Sequence, residues 1–369
     1  MSPVDTPAIP KGSTVLVTGA SGWVGSNVAD QFLAYGYKVR GTTRDVNKAS
    51  WLSAVFEKRY GKGAFELIGI PDMIADGAYD DAVKGVSAVA HTASIMSFDT
   101  DPNKVIPGAI SGAINALKAA YLEPGVKRFV LTSSSSAAAL SGRNLPKVVV
   151  KHDTWNDSAV KIAWSEEPHD ELRAGQVYAA SKTQAEQEVW RFHKENRAKR
   201  PDLVVNTVLP NMVFGRTLDL EKQGYPSSSG FLARLYTDGA EPPAILEAPR
   251  KVTFILKTFP KAKQCTEYFI GASDTGALHV AGAILPEVTD ERIFGFAGRF
   301  SWDAILDVFR KLEPEKKFAE NFSGGEDPNE IEPAPRAEQL LRDLGRPGWA
   351  SLEEVVNDNV RDLRTAATT

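Results

Sequence analysis

The chain has 369 residues, 43% hydrophobic, 24% charged and 9% aromatic, with a formal net charge of −4. That balance belongs to an ordinary globular protein and excludes a disordered or fibrous one, while the slight acidity argues against nucleic acid, whose binders cluster cations against phosphates. A single cysteine, Cys265, rules out an internal disulfide and a cysteine-based zinc site.

The opening MSPVDTPAIPKG lacks a basic start followed by an apolar core. No uninterrupted apolar run reaches the roughly 18 residues of a membrane span, and TAATT at the other end matches no lipidation or retention signal. The expectation is a cytoplasmic protein with no membrane partner. Length alone sets a prior of about two domains.

From Thr14 the chain alternates short β-branched runs with amphipathic stretches: TVLVT then VADQFLAYG, YKVRGTT then KASWLSAVFEKRYG, FELIGI then AYDDAVKG, VSAVAHT then IPGAISGAINALKAAYL, KRFVLTSS then VYAASKTQAEQEVWRFHKE, and finally LVVNTVLP. Six strands separated by helices of this length predict a parallel sheet covered on both faces. Past Pro210 the pattern loosens into GYPSSSG and GAEPPAILEAP, with helices again at FSWDAILDVFRKL, APRAEQLLRDLG and SLEEVVNDNVRDL. The expected organisation is a nucleotide-binding domain over 1–211, completed by about 264–290, and a substrate lobe from 212–263 and 291–369. No pattern in the long connection 247–269 fixes its conformation. Ligands of such sheets lie beyond the carboxyl ends of the strands, which directs the search for function there.

Gly19, Gly22 and Gly25 stand three apart between the first strand and the first helix. A turn of this kind aims free backbone N–H groups and the positive end of a helix dipole at whatever lies above, which suits a diphosphate. Gly19 suits the tight turn, Gly22 clears the path of the phosphates, and Gly25 lets helix and strand pack closely. At the end of the second strand an NAD site places an acid, and here Thr43 stands there, followed by Arg44 and, one turn on, Lys48. A guanidinium fork matches a 2′-phosphate, so NADPH is expected; Asp45, one residue late, is the argument for NAD.

Of nine tyrosines only Tyr178 is followed four residues later by lysine, in VYAASKTQAE. Residues i and i+4 share a helix face, so Tyr178 and Lys182 project together, and an ammonium beside a phenol favours the phenolate. The fifth strand ends in TSSSS, which sets Ser133, Ser134 and Ser135 at the carboxyl end without choosing among them. The histidines show no ligand spacing, so no metal is expected, and His279 in GALHVAGAI is expected to be a hydrogen-bonded core residue.

Together VLVTGASGWVGSNV, YKVRGTTR, DMIADGAYDDAVKGV, VAHTASIMSF, KRFVLTSS, VYAASKTQAE, LPNMVFG and LRDLGRPGW resemble an extended short-chain dehydrogenase/reductase, of the dihydroflavonol-reductase-like branch and its fungal NADPH-dependent carbonyl reductases. The resemblance implies an α/β fold, a Rossmann-like doubly wound parallel sheet with a smaller C-terminal lobe, and a Ser134–Tyr178–Lys182 triad. It further implies a cofactor site from Thr18, Gly19, Gly22, Trp23, Val24 and Gly25, Arg44 and Lys48, Asp72 and Met73 beside adenine, Thr92, Ala93 and Ser94 after the fourth strand, and Pro210 beside the nicotinamide. The implied reaction is hydride transfer to a carbonyl carbon, with Tyr178 giving a proton to the oxygen. Substrate contacts are expected from Ser97, Phe98, Ser134, Met212, Val213, Tyr225 and Phe231; their apolar character suits a bulky aldehyde, ketone or keto ester. The alternatives are a sugar epimerase or dehydratase using the same triad, and a non-catalytic redox-sensing regulator. Oligomeric state has no signature in the sequence.

Overall fold

The computed structural model describes residues 4–97, 99–141, 146–166, 173–237, 267–323 and 325–366. Phe98 and residues 247–266 of the long connection lie outside them. In chain order the first part runs β1 (Thr14–Thr18), α1 (Trp23–Ala34), β2 (Lys38–Thr43), α2 (Val46–Tyr60), β3 (Phe65–Gly69), β4 (Ala88–His91), α3 (Pro102–Leu122), β5 (Arg128–Thr132), β6 (Val149–Val150), α4 (Asp157–Ala163), α5 (Arg173–Asn196) and β7 (Val204–Pro210). The remainder runs β8 (Met212–Phe214), α6 (Leu220–Gln223), α7 (Ser228–Thr237), β9 (Glu267–Gly271), α8 (Ala272–Ile284), β10 (Arg292–Gly295), β11 (Gly298–Phe300), α9 (Trp302–Leu312), β12 (Glu330–Ile331), α10 (Ala334–Asp343) and α11 (Leu352–Ala366).

Seven strands form one parallel sheet in the order β10-β7-β5-β4-β1-β2-β3. The alternation of side chains along each strand divides the core into two layers. Val15 and Val17 of β1 and Ala88 and Ala90 of β4 face a cluster with Val28, Phe32, Leu278 and Ala281, from α1 and α8. Leu16 and Val89 face the other way, onto Ala116, Leu117 and Val189 of α3 and α5. The helix α3 has the length and composition of a membrane span, yet it packs on α5 and much of it is buried. Burying such apolar surface contributes about 25 cal/mol per Å², so the doubly covered sheet is the main source of stability here.

All six strands anticipated from the sequence take part in this Rossmann-like sheet. The seventh, β10, lies in the segment 291–369 assigned to the lobe; its four residues are too short to show a period, and pairing with β7 recruits it. Helix α8, which precedes it, packs against α1 and β7. β8, β9 and β11 form a separate three-stranded sheet, over which Phe214, Phe231, Phe300, Trp302, Phe309 and Val356 make an aromatic-rich second core.

β1 is flanked by β2 on one side and β4 on the other, so the crossovers leave it in opposite directions. This is the switch point at which the strand ends open a crevice.

Candidate active site

The glycine turn sits at that crevice. Gly19 adopts φ +65°, a left-handed conformation that costs a side-chain-bearing residue, and a Cβ there would meet the Ala93 backbone at 3.0 Å. A Cβ on Gly25 would lie 2.3 Å from the Gly19 carbonyl oxygen and 2.7 Å from Thr92 Oγ1, so helix and strand approach as closely as glycine permits. Gly22 is the N-cap of α1 and brings no side-chain cap to its N–H groups. Thr18 Oγ1 accepts from the N–H groups of Thr92 (3.0 Å) and Ala93 (3.1 Å) and is bonded to His91 Nδ1 (3.0 Å), tying the end of β4 to the turn. Trp23 is buried and donates from Nε1 to the Arg216 carbonyl at 3.1 Å, which joins the start of α1 to the chain beyond β8.

At the end of β2, Thr43 is bonded to Ser21 across the turn (3.1 Å), and Arg44 is exposed, with no hydrogen-bond or ion-pair partner among the described residues. Asp45 is occupied otherwise: it is the N-cap of α2, accepting from Lys48 N at 3.2 Å, and its carboxylate stands 3.7 Å from the exposed Lys48 ammonium. Asp72 is exposed and accepts from Ile74 N at 2.9 Å, while Met73 lies under Gly112 of α3. A backbone cradle cleared of side chains, together with an unengaged guanidinium at the second strand, fits a dinucleotide carrying a 2′-phosphate.

The serine run resolves by geometry. Ser133 donates to Glu186 Oε2 at 2.6 Å and is turned into the interior; Ser136 donates to Ser134 Oγ at 2.9 Å; Ser134 is the hydroxyl bonded to Tyr178. α5 brings Tyr178 and Lys182 to the same side, with Lys182 Nζ 3.5 Å from the Thr132 carbonyl. Lys182, Ser133, His91, Ala93 and Ser94 line one cleft, so the lysine and the strand end that packs on Gly19 share a wall.

Burial governs the electrostatics. It pushes the Lys182 ammonium down to about 8, partly opposed by the charge of Glu186. It holds His91 at about 3, with the Lys182 charge adding to the effect. Tyr178 is raised above the ordinary phenol value by burial, which outweighs the lowering from its bond to Ser134. This departs from the sequence expectation of a phenol lowered by its lysine neighbour; the loss of hydration is larger than any stabilisation of the phenolate. A phenol that keeps its proton at neutral pH is a donor, which is the form that reduction of a carbonyl requires.

Other anticipated positions fall in different places. Pro210 closes β7, buried beside Gly295 of β10. Val213 and Phe231 are buried in hydrophobic cores, Phe231 edge-on to Trp302 at 6.3 Å. Met212 is partly buried against the second core, Ser97 is exposed, and the Tyr225 hydroxyl is buried without a partner among the described residues. His279 is the core histidine expected: Nδ1–H donates to the Thr275 carbonyl at 2.8 Å, and Nε2 accepts from Thr132 Oγ1 at 2.6 Å. Sequence reasoning passed over Glu186 and Arg292. The signal for Glu186 was a second step of four after Lys182, on the same helix.

A model of the NAD dependent epimerase/dehydratase family matches residues 15–241. The chain belongs to that family, the extended short-chain dehydrogenase/reductases. It is 39% identical over 361 residues to aldehyde reductase 2 of Sporidiobolus salmonicolor, covering 98% of both chains. It is 34% identical to ketoreductase nvfG of Aspergillus novofumigatus, covering 94% of this chain and 95% of that one. Among solved structures, yeast methylglyoxal/isovaleraldehyde reductase Gre2, complexed with NADPH, superposes with a TM-score of 0.75 at 20% identity, over 96% of this chain and 99% of that one, which places the two in one fold.

Proposed function

We propose that this chain is an NADPH-dependent reductase that converts the carbonyl of a bulky, largely apolar aldehyde, ketone or keto ester to an alcohol. The observation that carries the proposal is that one helix, α5, brings Tyr178, hydrogen-bonded to Ser134, and Lys182, 3.5 Å from the Thr132 carbonyl, to the carboxyl end of β5. The similarity to an aldehyde reductase and a ketoreductase, each over nearly the whole chain, supports the same chemistry.

The cradle formed by Gly19, Gly22 and Gly25 would hold the diphosphate, and Arg44 would take the 2′-phosphate. NADPH, when bound, supplies the hydride. Tyr178 donates its phenolic proton to the carbonyl oxygen, Ser134 orients that oxygen by hydrogen bonding, and Lys182 would hold the nicotinamide ribose while its charge steadies the phenolate left behind. Lys182 is buried and Tyr178 half-buried, so the hydrogen bonds they make act in a setting of lowered dielectric.

The test is NADPH oxidation followed by absorbance with aryl ketones, keto esters and short aldehydes, with NADH as control. Turnover with NADPH on the bulky carbonyls is expected. Bound NADPH with no turnover on any of them would reassign the chain to a non-catalytic binding role.

A further inference from the structure

Glu186 carries a fully buried carboxylate one turn beyond Lys182 on α5. Its Oε1 accepts from Thr207 Oγ1 of β7 (2.8 Å), Arg292 Nε of β10 (2.8 Å) and Trp190 Nε1 (3.3 Å). Its Oε2 accepts from Ser133 (2.6 Å) and Arg292 Nη2 (3.3 Å). Arg292 is itself buried, gives Nη1 to the carbonyls of His152 (2.8 Å) and Thr154 (2.7 Å), and stacks on the Trp155 ring at 3.8 Å. Taking two ions out of water costs several kcal/mol each, and an apolar pair of like volume often serves stability as well or better. The retained charge therefore calls for another role.

The surroundings of Lys182 supply one. His91 faces it from β4 and is neutral; His279, behind Thr132, is neutral with both ring nitrogens engaged; Tyr178 on its own helix keeps its proton. Among the described residues Glu186 is the anion whose charge opposes the effect of burial on the Lys182 ammonium, and Arg292 is the cation paired with it. The same carboxylate draws Ser133 inward, which leaves Ser134 as the hydroxyl on Tyr178.

We propose that Glu186 is a positioning residue of the reaction: held by Arg292 from the seventh strand, its buried carboxylate stands one turn from Lys182 and turns Ser133 inward, and through Lys182 it governs the alkaline limit of activity. The proposal rests on the roles given above to Tyr178 and Lys182.

The test is kcat/KM against pH for the wild type, Glu186→Gln, Arg292→Gln and Arg292→Lys, with NADPH affinity measured by fluorescence at the same pH values. Glu186→Gln removes the anion, so the alkaline limb moves to lower pH by about one unit; Arg292→Gln exposes the full anion, so it moves to higher pH by a similar amount. Arg292→Lys keeps the charge and leaves the limb in place, and NADPH affinity weakens along the same displaced curves. Loss of activity without displacement in either direction would make the pair a structural clamp and overturn the proposal. If Glu186→Gln does not fold, the comparison of Arg292→Gln with Arg292→Lys carries the test, and identical limbs overturn it. Tyr178→Phe is assayed alongside: normal turnover in that variant removes the underlying assignment, whereas an inactive Tyr178→Phe with immobile limbs removes only the role of Glu186.

Discussion

Ser134 and Ser133 are neighbours of identical chemistry with opposite orientations, one bonded to Tyr178 and the other to Glu186. A sequence can place hydroxyls at a strand end but cannot say which of three points outward, because the deciding partner comes from another element. Tyr178 and Lys182 were legible for the contrary reason: their relation is internal to one helix. If Tyr178 is the proton donor proposed above, Tyr178→Phe lowers kcat by about 10² to 10⁴ with NADPH affinity retained. Arg44→Ala is expected to weaken NADPH binding by about 1.5 to 3 kcal/mol, the scale of a charge-assisted hydrogen bond, with little effect on NADH. Equal losses for both cofactors in a titration would contradict the role given to Arg44.

At the scale of elements, the glycine turn was recognisable because its demands are local: one left-handed position, one open N-cap and one close helix–strand contact. Gly25→Ala tests the last of these. Its methyl would meet first the backbone oxygen of Gly19, which cannot swing away as the Thr92 hydroxyl could, so a loss of about 1 to 3 kcal/mol of stability is expected from overpacking, together with weaker NADPH binding. A variant with unchanged melting temperature and unchanged NADPH affinity would mean that the turn relaxes more easily than its contacts imply. β10 was not legible, since four residues bounded by loops carry no periodic signal and owe their conformation to the edge of β7. The contacts of Arg292 were hidden for the same reason.

Over the whole molecule, stability should depend on pH through buried imidazoles. His91 is held at about 3 by burial and by the Lys182 charge; His279 is held at about 4 by burial, against a smaller opposing effect of its bond to Thr275. In the unfolded chain both titrate near 6.5. Below that value the unfolded state binds protons that the folded state refuses, so this contribution is complete above about pH 6.5 and is lost as pH falls towards 4, at about 1.4 kcal/mol per unit for each group. Calorimetry between pH 7 and 4.5 should show a steadily falling melting temperature; a flat profile would contradict it. The core over the three-stranded sheet is built from apolar residues scattered from Phe214 to Val360, whose meeting no single stretch announces.

The N-cap at Asp45 bears on how coenzyme choice could be altered. Its carboxylate is already committed to closing the first turn of α2, so recruiting it for an adenosine ribose would unravel the start of that helix. Thr43, at the end of β2 and bonded across to Ser21, is the place where a new acid could face the ribose while leaving the cap of α2 intact, and re-engineering towards NADH would begin there, paired with removal of Arg44.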